Sequence, residues 1–175
     1  MDAGKENEPA PRQNRTTVER KSDRELVVTR TFNGPAHLVF EAWTKPELFK
    51  QWWAPKSFGL TMLSCEMDVR LGGTYRLVFS HPGSEQPVAF FGKYIEVTPP
   101  TRFAWTNEES GEDVTVTTVT FEQRGDETLV VMHDLYSTKE ALDDAIASGS
   151  TSGFSETFEQ LDEFLVIQGQ TFERS

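Results

Sequence analysis

Phe154-Ser155-Glu156-Thr157-Phe158-Glu159-Gln160-Leu161-Asp162-Glu163-Phe164-Leu165 decides how this chain must fold. Phe154, Phe158, Leu161, Phe164 and Leu165 recur at i, i+4, i+7, i+10 and i+11, so a helix gathers them into one broad apolar stripe. Glu156, Glu159, Gln160, Asp162 and Glu163 occupy the other face. A helix with such a stripe must lie on something apolar, and the concave face of a sheet is the only large candidate in the chain.

That sheet is written between Phe58 and Leu135. The runs 59–70, 73–81, 88–97, 101–108, 113–123 and 127–135 read as strands separated by turn signals. The separators are Arg70-Leu71-Gly72-Gly73-Thr74, His81-Pro82-Gly83-Ser84, Pro99-Pro100 and Arg124-Gly125-Asp126-Glu127. Connections of hairpin length imply an antiparallel meander. A further strand, Glu25 to Phe32, comes first, and Asn33-Gly34-Pro35 stops it. Leu38, Val39, Ala42 and Trp43 then follow at helical spacing, and a second short helix carries Leu48, Phe49 and Trp52 before Pro55 ends it. Ser137-Thr138-Lys139-Glu140 fits a capping box with Ser137 at the N-cap. The expected architecture is α+β: a curved antiparallel sheet of about seven strands around a long C-terminal helix, with two short helices after the first strand.

With 175 residues and a formal net charge of −11, the chain fits one domain plus a tail. Residues 1–24 carry a net charge of +1, so the acidity belongs to the folded part. An acidic domain has no general electrostatic reason to hold nucleic acid or an anionic membrane, and neither is expected as a partner. Cys65 is alone, so no intrachain disulfide forms, and no run approaches the length of a membrane span. Without an apolar leader segment the expected location is cytoplasmic. Residues 1–23 hold Pro9, Pro11, many charges and almost nothing apolar, and are expected to be disordered. The expected domain spans 24–168, with a short C-terminal tail over 169–175.

Three motifs resemble a known family. Phe49-Lys50-Gln51-Trp52-Trp53-Ala54-Pro55 resembles the double-Trp–Pro motif of the Aha1-like branch of the SRPBCC (START / Bet v 1-like) superfamily. Asp68-Val69-Arg70-Leu71-Gly72-Gly73-Thr74-Tyr75-Arg76 is similar to a second motif of that family. Gly92 to Phe103, followed by Trp105, is similar to a third, and Gly153-Phe154 stands where the family usually has Gly-Trp. The resemblance runs from about Leu26 to Leu165. It implies a helix-grip fold with a cavity between sheet and helix. Members include binders of hydrophobic small molecules, some enzymes, and domains related to an Hsp90 co-chaperone. A shared fold does not select among these.

Strand alternation assigns the inward face. On 59–70 it is Leu63, Cys65, Met67 and Val69; on 73–81, Tyr75, Leu77 and Phe79. On 88–97 it is Phe91, Ile95 and Val97, with Lys93 awkwardly in phase; on 101–108, Phe103 and Trp105. On 127–135 it is Leu129, Val131, His133 and Leu135. Val114 and Val116 oppose Val119 and Phe121 in phase, which a bulge near Thr117-Thr118 would reconcile. Adjacent Trp52 and Trp53 must point apart, one plugging the sheet and the other partly exposed. An inward surface that is largely apolar with a few polar groups describes either a solid core or a small-molecule site. The candidate ligand-binding residues are Trp53, Met67, Tyr75, Phe79, Phe91, Trp105, His133, Phe158 and Leu161.

Other chemistry has little to stand on. His37, His81 and His133 have no metal-ligand spacing, and no phosphate loop, dinucleotide fingerprint or Gly-x-Ser-x-Gly elbow is present. No catalytic residue, metal or cofactor is therefore expected. Glu66 and Asp68 share one strand face and read as solvated neighbours of Arg70 and Arg76. Three functions remain: a non-enzymatic binder of a small hydrophobic or amphipathic ligand, a co-chaperone-like partner module meeting a chaperone or other protein, and a hydrolase or cyclase using His133 or His81 with Tyr75.

Overall fold

In a computed structural model, which describes residues 16–109, 111–149 and 151–174, eight strands form one curved, unclosed antiparallel sheet. The strands are β1 (Thr17–Arg20), β2 (Glu25–Asn33), β3 (Thr61–Met67), β4 (Thr74–Ser80), β5 (Val88–Thr98), β6 (Arg102–Asn107), β7 (Thr115–Arg124) and β8 (Glu127–Leu135). Their order across the sheet is β1-β2-β8-β7-β6-β5-β4-β3. The meander from β3 to β8 thus returns to pair its last strand with β2. Helices α1 (Ala36–Thr44) and α2 (Pro46–Phe49) and a single 3-10 turn (Lys56–Phe58) lie between β2 and β3. Helices α3 (Lys139–Ala147) and α4 (Phe154–Arg174) follow β8. This is the helix-grip arrangement read from the sequence, and no described helix is long and apolar enough to cross a membrane.

The eighth strand comes from the segment expected to be disordered. Residues 1–15 lie outside the described residues, but Thr17 to Arg20 pair with Thr29 to Leu26 of β2. Arg20 also reaches Asp143 at 2.8 Å. All four β1 residues are exposed, so the strand needs no apolar alternation; it needs only the open edge of β2. At the other end α4 continues to Arg174, past the expected boundary at 168.

The core sits where α4 crosses β2 and α1. Phe158 and Leu161 are wholly buried, and the Phe158 ring lies 5.8 Å from Phe32 and 5.9 Å from Trp43. Trp43 is the hub, with the Trp52 ring at 4.9 Å and the Phe103 and Phe121 rings at 6.2 and 6.1 Å. Such edge-to-face contacts add to a large apolar burial. Trp52 is plugged into this core and donates Nε1–H to Ala42 O at 3.0 Å, while Trp53 is only half-buried.

Local corrections follow from geometry. The N-cap of α3 is Thr138, not Ser137: its side chain accepts from Ala141 N at 3.0 Å. Ser137 instead donates to Asp113 Oδ1 at 3.1 Å. No bulge occurs at Thr117-Thr118, since β7 keeps continuous register with both neighbours. Its inward residues are Thr117, Val119 and Phe121, while Val116 lies on the outer face and Val114 precedes the strand. The register shifts instead lie between Met62 and Ser64 and between Tyr94 and Glu96. The first of these turns Leu63 outward, more than half exposed, and Ile95 is likewise exposed. Gln160 belongs to the buried face of α4, not to its solvated side.

Candidate functional site

A cavity of about 660 Å³ lies between the concave sheet and the elements that roof it. Tyr75, Leu77 and Phe79 of β4 form one part of its wall, because period-two alternation sends all three inward. Phe90 and Tyr94 of β5, Phe103 and Trp105 of β6, and Met132 of β8 continue it. Trp53, Pro55, Phe58 and Leu60 close it from the stretch after α2, and Phe154 and Thr157 from the first turn of α4.

The roof is fastened by side chains of the first two turns of α4, Gln160 above all. Gln160 donates Nε2–H to Trp52 O at 2.8 Å and to Ala54 O at 2.9 Å, and its Oε1 accepts from Lys56 N at 2.9 Å. Thr157 donates to Trp53 O at 3.1 Å, and Glu156 accepts from Ser57 N at 2.9 Å. Gly153 lets the helix start come this close: a Cβ there would stand 2.8 Å from Pro55 Cγ and 2.9 Å from Phe58 Cζ.

Of the residues proposed from sequence, Trp53, Met67, Tyr75, Phe79 and Trp105 line this cavity. Phe91 does not. Gly92 takes the inward position, where a Cβ would fall 1.8 Å from Thr106 O, so Phe90 and Tyr94 flank it inward and Phe91 is 40% exposed. Lys93 is outward with Phe91 and pairs with Glu108 at 3.7 Å. His133 is also on the outer face, with Nε2 2.8 Å from Glu25 Oε2. On β8 the inward set is Thr128, Val130, Met132 and Asp134. Phe158 and Leu161 are core, since the middle of α4 packs on β2 and only its first turn reaches the cavity. The His–Tyr set considered for catalysis is dispersed as well: His81 is exposed and accepts from Gly83 N at 2.9 Å, on a loop outside the lining.

One end of the cavity is polar, and the sequence reading missed it. Trp105, Thr117 and Asp134 lie in line across β6, β7 and β8. Trp105 Nε1 donates to Asn107 Oδ1 at 3.2 Å, and Tyr75 donates to Thr106 O at 2.8 Å. Asn107 Nδ2 donates to Thr115 O and Thr117 Oγ1, each at 3.0 Å. Thr117 donates to Asp134 Oδ1 at 2.7 Å. Glu109, Asp113, Asp144 and Tyr136 line the same end. Burial pushes the Asp134 carboxyl up to about 6 against the opposing effect of the Thr117 hydrogen bond, and burial also raises Glu109. Tyr75 and Tyr136 are raised by burial too, so both phenols stay protonated.

The Activator of Hsp90 ATPase homolog 1-like protein family model matches residues 33–166. The chain belongs to that family. Every residue of the cavity wall, from Trp43 to Thr157, falls inside the matched span. Solved structures agree on the fold. A protein from Rhodobacter sphaeroides is similar at 24% identity with a TM-score of 0.78, over 87% of this chain and 98% of that one. One from Nitrosomonas europaea is similar at 23% identity and a TM-score of 0.76, over 86% and 99%. An AHSA1-like protein from Aeromonas hydrophila is similar at 16% identity and a TM-score of 0.64, over 82% and 94%. No curated protein matches the chain.

Within this family member the cavity can do two things chemically. Its aromatic and aliphatic walls can desolvate an apolar body, and its polar end can accept hydrogen bonds from a polar head.

Proposed function

We propose that this chain is a non-enzymatic binding protein that holds a hydrophobic or amphipathic small molecule between its sheet and the start of its C-terminal helix. The observation that carries this reading is the cavity of about 660 Å³ walled by Trp53, Tyr75, Phe79, Phe90 and Trp105. That volume falls in the range of ligand pockets, roughly 300–1,000 Å³. The test is a titration with N-phenyl-1-naphthylamine, a neutral apolar fluorophore. Saturable one-to-one binding is expected, weakened at least fivefold by Phe79→Ala or Trp105→Ala and unchanged by Glu159→Ala on the exposed side of α4. Folded protein that shows no saturable binding would remove the reading.

A second reading is a chaperone-partner module. It draws on the family's description as activators of Hsp90 ATPase and on the net charge of −11, which suits a basic patch on a partner. Stimulation of an Hsp90-type ATPase by this chain would support it, and a flat rate at high protein concentration would dismiss it.

A further inference from the structure

We propose that the ligand this cavity selects is an amphipathic cation, an ammonium or amidinium head on an apolar body, with the head received at Asp134. The inference rests on the small-molecule reading above and gives that site its ligand class.

Charge is the first ground. Among the described residues, the cavity wall includes four carboxylates, Asp134, Glu109, Asp113 and Asp144, and no Lys, Arg or His. The nearby bases are committed elsewhere. His133 turns to the outer face and Glu25, Lys93 pairs with Glu108 outside, and Arg20 and Lys139 both pair with Asp143. An anionic head would meet Asp134, buried in the apolar wall, and the exposed Glu109, Asp113 and Asp144 at the rim, all of like charge, while a cation would find a carboxylate partner at each step inward.

Hydrogen-bond polarity is the second and independent ground. In the row from Trp105 and Tyr75 through Asn107 and Thr117 to Asp134, every N–H and O–H already donates to a protein acceptor. The row ends on a carboxylate that is only 6% exposed. One of its oxygens takes the Thr117 hydroxyl; the other takes no hydrogen bond, and the group joins no ion pair, among the described residues. A buried carboxylate without a cation is costly. A donor-rich positive head supplies what the row lacks, a donor and a charge together.

The walls suit the rest of such a molecule. Trp53, Tyr75 and Trp105 present aromatic surface along the cavity, which covers an apolar body and tolerates positive charge at the ring face. Asp134 is ionised above pH of about 6, so the selectivity should strengthen as pH rises through that value.

The experiment uses three isosteric probes at about pH 8, where the carboxylates are ionised: 1-naphthylmethylammonium, 1-naphthylmethanol and 1-naphthoate. Each is titrated against the full chain by quenching of Trp fluorescence and by calorimetry. The ammonium is expected to bind at least tenfold tighter than the alcohol, and the carboxylate weakest. Asp134→Asn should weaken the ammonium about tenfold and leave the alcohol within twofold, with circular dichroism confirming the fold. Glu109→Gln gives a second reading should Asp134→Asn fold poorly, with a smaller loss for the ammonium alone. Alcohol and ammonium binding alike, or a preference for the carboxylate, would overturn the charge inference and leave the cavity reading standing. No binding of any probe would overturn both.

Discussion

Thr117 and Asp134 face each other across the β7–β8 ladder, and the Thr117 hydroxyl donates to Asp134 Oδ1 at 2.7 Å. That bond satisfies one oxygen of a carboxylate that the fold has taken out of water. Burial raises its pKa to about 6, and the hydrogen bond lowers it only in part.

The consequence for stability has a definite sign. The folded state holds the Asp134 proton more tightly than the unfolded state does. Its contribution is therefore most favourable below the ordinary value near 3.8 and is lost as pH climbs through about 6. Asp134→Asn keeps an acceptor for Thr117 and removes the charge. Urea unfolding should show the variant more stable than the parent by roughly 2–3 kcal/mol at neutral pH, with the gap closing toward pH of about 4. A gap that does not change with pH would mean that Asp134 is not the group responsible.

Gln160 supports the cavity roof through three hydrogen bonds, to Trp52 O, Ala54 O and Lys56 N. Gln160→Leu matches the size and leaves two carbonyls and one amide without these partners. Each such group costs about 1–3 kcal/mol when it stays buried, so a total loss of roughly 3 kcal/mol is expected. Amide exchange at Lys56 should accelerate more than at Val119 in the sheet. Equal acceleration at both would show a general loss of stability with no special loosening of the roof.

The order of elements was legible because turn residues and the stripe on α4 carry it, but the faces of two strands were not. On β8, Leu129, Val131 and Leu135 oppose Val130 and Met132, so both phases are apolar and alternation decides nothing. The pairing with β2 decides it: Val28 and Leu26, both buried, sit opposite Met132 and Asp134. On β5 the run Phe90-Phe91 offers an aromatic to either face, and the close approach of Gly92 to Thr106 selects Phe90. The polar end of the cavity escaped for the same reason. Asp134 and Thr117 become a pair only through a register between strands, and no local pattern carries that. A better signal was available in β2, where Leu26, Val28 and Phe32 mark the inward face without ambiguity.

Gly153→Ala tests the closeness of roof and helix. The added methyl would stand 2.8 Å from Pro55 Cγ and 2.9 Å from Phe58 Cζ, against a proline ring that cannot swing aside. Overpacking of this kind costs about 1–3 kcal/mol. A lowered melting temperature is expected, the more so because Gly153 stands at the N-cap of α4, where alanine is the poorer residue, and a rise would mean that the 55–58 stretch yields freely.

His133 and Trp105 separate the two faces of the sheet. His133 sits outside, its Nε2 2.8 Å from Glu25 Oε2, and that hydrogen bond is the largest reason the Glu25 carboxyl lies below its ordinary value. His133→Ala should therefore raise the Glu25 pKa in an NMR titration while leaving the affinity for N-phenyl-1-naphthylamine within twofold. Trp105→Ala should do the opposite: the Glu25 titration stays put and the affinity falls at least fivefold, since Trp105 forms cavity wall on the inner face. The pair matters more than either variant alone, because a merely destabilised protein would shift both readouts together. Loss of binding in His133→Ala with the fold intact would mean that the outer face of β8 takes part in ligand capture, and the binding site would have to be sought on that face.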